Sequence, residues 1–172
     1  MKPSILLAFA SILFSAVSYG QDSSALLKRT PYKLTVAVDK NTLYEEDIKA
    51  TPFVLPDNTV QIYPGETIYI EVEKEDGVIK KMTAVTENTH PEKTLVLSFT
   101  QSVKKKVHEM MMLSVKNPFA EQLVYKATMF LLKQHKWADT DVYPVEPPLA
   151  GYETWPDIIT SMALGGWQFK KK

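Results

Sequence analysis

Three side chains in the stretch VHEMMMLSVKNPF, residues 107–119, have the chemistry to hold a soft metal. His108, Met110 and Met112 read as His-x-Met-x-Met, and imidazole with thioethers is the donor set expected for Cu(I). In a β-strand alternate side chains share a face, so these three would stand together, with Val107, Met111, Leu113 and Val115 on the other side. The spacing limits such a site. Residues i and i+4 of a strand lie roughly 13 Å apart at Cα, so His108 and Met112 need a ligand from a neighbouring strand. His90, His135 and Met129 are the available donors. The competing expectation is architectural: Met110 and Met112 fill irregular space at a sheet edge, which a flexible thioether does well.

Hydrolytic chemistry has little footing. The chain has no cysteine, no G-x-S-x-G elbow and no H-E-x-x-H; His108-Glu109 is followed by methionines. Glu45-Glu46-Asp47 and Asp139-x-Asp141 are acidic, but lack the glycine and terminal glutamate of a calcium loop, and read as solvated turns. A second binding chemistry comes from aromatic residues. Trp137, Tyr143, Tyr152 and Trp155 lie in or beside a proline-rich stretch and could form a platform for a sugar or a partner peptide. The architectural alternative has Trp155 and Trp167 plugging one end of the fold, because tryptophan buries a large area and needs one polar partner.

The elements that would position these residues follow a two-residue period. Tyr32, Leu34, Val36 and Val38 alternate with polar or small residues, as do Ile68, Ile70 and Val72 between Tyr69, Glu71 and Glu73. Short strands are also expected over 59–63, 78–86, around Leu95, Leu97 and Phe99, over 107–116, and within 159–169. Pro64-Gly65 and Asp76-Gly77 supply turns between them. Residues 118–132 carry two patterns. Asn117-Pro118 is a helix start, yet Leu123, Tyr125, Ala127, Met129 and Leu131 occupy five odd positions in a row, which favours a strand. YPVEPPLAGYETWP, 143–156, reads as a long extended loop, since proline cannot donate to a sheet ladder. Seven to nine short strands without βαβ alternation predict a mostly-β fold, an antiparallel immunoglobulin-like sandwich with a Pro-rich loop near the C-terminus.

Residues 1–20 have the form of a cleaved secretory signal. Lys2 precedes the uncharged run Ile5 to Val17, and Ser18-Tyr19-Gly20 or Ala16-Val17-Ser18 offers the cleavage site. That run is too short for a comfortable membrane span, so no membrane anchor is expected. Residues 21–30 read as a polar leader, and 31–172 as a single domain. Without cysteine, such a domain depends on burial rather than crosslinks, which suits a bacterial periplasmic or secreted protein. Lysine plus arginine and aspartate plus glutamate number 20 each, so bulk charge argues against nucleic acid or an anionic membrane.

The stretch MLSVKNPFAEQLVYKATMF, 112–130, has the rhythm of a strand, an Asn-Pro turn and a strand with Leu-x-Tyr-x-Ala. It resembles bacterial exported immunoglobulin-like sandwich domains and, more distantly, periplasmic copper chaperones of cupredoxin-like fold. The first resemblance implies a sandwich; the second implies copper held by His and Met near this strand pair. The chain is therefore read as an exported, non-catalytic binding or structural module with an unidentified protein or glycan partner. Copper binding through His108, Met110 and Met112, or sugar or peptide binding through the aromatic set, is the alternative.

Overall fold

The alternation from Tyr32 onward produces strands throughout. In the computed structural model, which describes residues 26–171, all regular structure is β. The expected signal segment, 1–20, lies outside the described residues. Eleven strands are found among them: β1 (Tyr32–Ala37), β2 (Leu43–Ile48), β3 (Val60–Ile62), β4 (Thr67–Glu75), β5 (Val78–Val85), β6 (Thr94–Lys104), β7 (Val107–Lys116), β8 (Gln122–Leu131), β9 (Lys136–Thr140), β10 (Ala150–Trp155) and β11 (Ile159–Lys170). Two antiparallel layers face each other: a five-stranded sheet in the order β10-β7-β6-β4-β5 and a four-stranded sheet in the order β3-β11-β8-β9. A separate ribbon, β1–β2, packs beside them. The fold is the antiparallel sandwich expected, compatible with an immunoglobulin-like plan. Its two layers hold the upper end of the seven-to-nine strand range, and the ribbon adds to it.

The core lies between the layers. Leu95, Leu97 and Phe99 of β6 and Met111, Leu113 and Val115 of β7 meet Leu123 of β8 and Met162 and Leu164 of β11, all essentially inaccessible to water. Each fully buried aliphatic side chain of this kind contributes about 2 kcal/mol. A second, smaller cluster joins Leu34, Val36 and Ile48 of the ribbon to Tyr63.

The segment with two readings, 118–132, is a strand, with Leu123, Tyr125, Ala127 and Leu131 buried on its odd face. Asn117 ends β7 rather than capping a helix. Its side-chain amide donates to Glu121 O (2.8 Å) and Val145 O (3.1 Å), and its Oδ1 accepts from Phe119 N (3.1 Å). The irregular alternation of β5 has a local cause, a bulge opposite Glu73/Lys74 that shifts Ile79 and Val78 out of register.

Three expectations change. The proline-rich loop ends at Leu149, because Ala150 to Trp155 contain no proline and pair with β7 as an edge strand. Glu45-Glu46-Asp47 is no turn; it lies in β2, where Glu45 and Asp47 flank Lys33 of β1 at 3.8 and 3.4 Å. The leader is not merely polar tether, since Lys28 bridges to Pro52 and Arg29 is buried.

Candidate functional site

The strand β7 contains the predicted metal pattern, and its pairing with β6 decides what the pattern can do. Ser102 lies opposite Met110, but the next residue, Val103, lies opposite His108. Glu109 is thus the extra residue of a β-bulge, and the two-residue period breaks between His108 and Met110. Ser102 Oγ donates to Glu109 Oε2 (2.8 Å) on the outer face. His108 turns to the inner side instead, where Gln101 Nε2 donates to its Nδ1 (2.9 Å) and its Nε2 lies 3.0 Å from Pro156 O. A carbonyl can only accept, so the neutral ring carrying hydrogen on Nε2 satisfies both bonds. His108, Met110 and Met112 therefore do not share a face, and both imidazole nitrogens of His108 are engaged. Of the other donors, His90 sits against Glu71 at 2.7 Å, Met129 pairs with Met162 in the four-stranded sheet, and His135 lies in the turn after β8 beside Leu132 and Ile158. Among the described residues no group of three or more His, Cys, Asp or Glu side chains could hold a metal ion.

The four aromatic candidates are also dispersed. Trp137, half exposed, packs edge-on against Phe130 (centroids 5.6 Å apart) on the outer side of the four-stranded sheet. Trp155 faces inward; its indole Nε1 donates to Thr140 Oγ1 (3.0 Å) and ties the edge of one sheet to the other. Tyr143 projects from the loop after β9, 81% exposed. Tyr152 stands on the outer face of the five-stranded sheet, 65% exposed. Trp155 and Trp167 do not plug one end together. Trp167 stacks on Tyr125 (5.0 Å) and donates to Asn58 O, whereas Trp155 bonds Thr140 at the other edge of the four-stranded sheet.

What the sheet does assemble is a patch without charge on its outer face, over β10, β7, β6 and the start of β4. Register places Tyr152, Ser114, Ser98 and Thr67 in one row across β10, β7, β6 and β4, a span of about 14 Å at normal strand spacing. Thr67 Oγ1 donates to Ser98 Oγ (3.2 Å) within it. The next row is Thr154, Met112 and Thr100, and the third is Met110 with Ser102. Charges surround it on the same face, at Lys116 and Glu109, at the Glu71–Lys93 pair (2.9 Å), and at Glu73 and Lys81, which lie opposite each other on β4 and β5. Sequence alternation could identify the strands, but not which outward residues would become neighbours. The signal present was the outward series Met110, Met112, Ser114, whose lack of charge is unusual for a solvated strand face.

Phenols and carboxylates elsewhere serve structure. Burial, followed by the adjacent Glu46 carboxylate, pushes the Tyr44 hydroxyl up to about 12. Burial does the same in direction to Tyr32, Tyr63 and Tyr125, so these groups stay protonated at neutral pH. Comparison with known proteins returns no matching family model, no matching curated protein and no matching solved structure.

Proposed function

We propose that the protein is an exported, non-catalytic binding module that uses the outer face of its five-stranded sheet as the contact surface for a neutral ligand, a glycan chain. The signal-like residues 1–20, with Lys2 before the uncharged run to Val17, support export. The observation that carries the binding reading is the charge-free patch around Tyr152, Ser114, Ser98 and Met112, in a chain where 23% of residues are charged. Solvated sheet faces usually carry Lys and Glu. A hydroxyl row beside an exposed phenol ring and two thioethers instead offers hydrogen bonds and apolar contact without a counter-charge requirement. This surface takes only Tyr152 from the aromatic set; Trp137, Tyr143 and Trp155 lie elsewhere.

Affinity electrophoresis through gels containing a soluble glucan, xylan or mannan tests the reading. Migration should slow in at least one of them, and Tyr152→Ala should weaken that retention about tenfold, equivalent to about 1.4 kcal/mol. Trp137→Ala should leave it unchanged. Unretarded migration in all three gels would overturn the glycan assignment.

A further inference from the structure

Folding binds both ring nitrogens of His108 to groups whose hydrogen-bonding roles are fixed. Ala37 N is a donor and Ala37 O an acceptor, so only one orientation of the Gln101 amide serves both. Oε1 accepts from Ala37 N (2.9 Å), and Nε2 donates to Ala37 O (2.8 Å). The second hydrogen of that Nε2 points at His108 Nδ1 (2.9 Å), which must accept it. On the other side of the ring, His108 Nε2 lies 3.0 Å from Pro156 O and must donate. Every partner therefore demands the neutral imidazole. The ring is half-buried, so solvent protons can still reach it.

A second proton on the ring reverses one of these roles. In an imidazolium both nitrogens donate, so Nδ1–H meets the N–H of Gln101 across 2.9 Å, donor against donor. The positive charge strengthens the bond from Nε2 to Pro156 O, which keeps the ring where it is. The amide is then the group that yields. Turned over, Gln101 offers Oε1 to the imidazolium in a charge-assisted bond. The same turn sets Oε1 against Ala37 O and Nε2 against Ala37 N, and both bonds to the ribbon are lost.

What the clamp holds is small enough to move. The ribbon β1–β2 is a two-stranded sheet of its own. Tyr32 OH on Glu66 Oε1 (3.1 Å) anchors the start of β1, and Leu34, Val36 and Ile48 pack with Tyr63 along its length. Thr160 of β11 hydrogen-bonds the Tyr44 hydroxyl and steadies β2. The part left to the clamp is the end of β1 and the turn 38–42. We propose that His108 is an acid sensor: its second proton turns the Gln101 amide and releases the end of β1 from β6. Release widens, from the Val38 side, the apolar cleft of about 410 Å³ that Val38 shares with Leu43, Leu132 and Ile158.

The clamped ribbon requires the neutral ring, so it is favoured at higher pH and lost as the ring takes up its proton. Charged groups on the surrounding elements are Lys104, Lys105, Lys106 and Glu109 on the β6–β7 hairpin, Asp157 beside Pro156, and Asp39 and Lys40 on the β1–β2 turn. Bonding from the Asn41 backbone holds the Asp39 carboxyl below its usual range. Carboxylates ordinarily titrate below about pH 5 and lysines above about pH 8, which leaves histidine side chains to change charge in between. The other two are His135, in the turn after β8, and His90, on Glu71 at 2.7 Å. His108 faces the inner side of the sheet, away from the uncharged patch, so the inference is independent of the glycan reading.

Two NMR measurements on protein purified from cells expressing the full chain test it, between about pH 8 and about pH 5. One follows the Cε1–H signals of the three histidines; the other reads amide exchange as protection factors, which removes the intrinsic pH dependence of exchange. Protection of the Ala37 amide should fall about tenfold or more as pH drops, with the same midpoint as the His108 signal. Amides of β8 and β11 should stay protected. His108→Phe fills the place of the ring without titrating, so its Ala37 protection should be level across the range. His135→Gln should keep the wild-type fall. Level Ala37 protection in the wild type while His108 titrates would overturn the proposal, as would a fall that persists in His108→Phe. A His108 signal unshifted down to about pH 5 would do so too. The wild-type midpoints decide the matter even if His108→Phe does not fold.

Discussion

The side-chain amide of Gln101 pairs with the backbone of Ala37 through both of its ends. Ala37 N donates to Oε1 (2.9 Å), and Nε2 donates to Ala37 O (2.8 Å). One side chain of β6 thus stands in for a neighbouring strand at the open edge of the ribbon. The same Nε2 spends its second hydrogen on His108 Nδ1, so the clamp that holds the ribbon also sets the histidine's tautomer.

Gln101→Glu retains shape and the acceptor for Ala37 N but can donate neither to Ala37 O nor to His108. At about 1 kcal/mol for each lost bond, the variant should lose about 2 kcal/mol of stability. Hydrogen exchange at the amides of 34–37 should quicken tenfold or more, while amides of β8 and β11 quicken by no more than the loss of global stability requires. Unaltered exchange in the ribbon would show that the clamp does not secure it.

Arg29 and Glu66 form the most enclosed ion pair, 1% and 11% exposed at their side chains, with Nε to Oε1 at 2.7 Å and Nη2 to Oε2 at 3.0 Å. Arg29 also donates to Pro52 O and Gln61 O and stacks over Phe53 at 4.3 Å. The Glu66 carboxylate accepts from Tyr63 N (2.9 Å) and Tyr32 OH (3.1 Å). Arg29→Met leaves a buried carboxylate without its cation and should cost about 3–5 kcal/mol in urea unfolding. Arg29→Met with Glu66→Gln removes the stranded charge, so the double variant should be more stable than Arg29→Met alone. The reverse order would sink the account of the pair.

Acid should loosen the β7–β8 turn. Lys74 Nζ lies 2.6 Å from Glu121 Oε2 and over the rings of Phe119 and Phe169. Its hydrogen bond, with its charge, holds the Glu121 carboxyl below the ordinary value of 4.5. A depressed carboxyl binds protons more weakly folded than unfolded. Its stabilisation is present in full above pH 4.5 and declines as pH falls through the lower folded value. Since both side chains are about a fifth exposed or more, solvent screening keeps the contribution small. Stability curves of wild type and Glu121→Gln should therefore differ near neutrality and converge in acid; parallel curves would show the pair to be silent.

Copper titration addresses the strand that first suggests a metal. With His108 turned inward and both ring nitrogens bonded, His108→Ala with Met110→Leu should match the wild type in Cu(I) affinity under reducing conditions. Affinity in the wild type at least tenfold above the variant would require the bulge at Glu109 to rearrange on binding, contrary to this expectation.

Residue order by itself determined the class of fold. Alternation at Leu34 and Val36, at Ile68, Ile70 and Val72, and at Leu123, Tyr125 and Ala127 is a local property, because a strand's side chains take sides by parity alone. It likewise determined that β7 would bury Met111, Leu113 and Val115 and stop at Asn117. What parity could not carry was any departure from itself. The bulge at Glu109 that parts His108 from its methionines depends on how β7 registers against β6, and registration is settled between strands, not within one. Arg29 looked like one more polar residue of a leader until Glu66, distant by 37 positions, enclosed it.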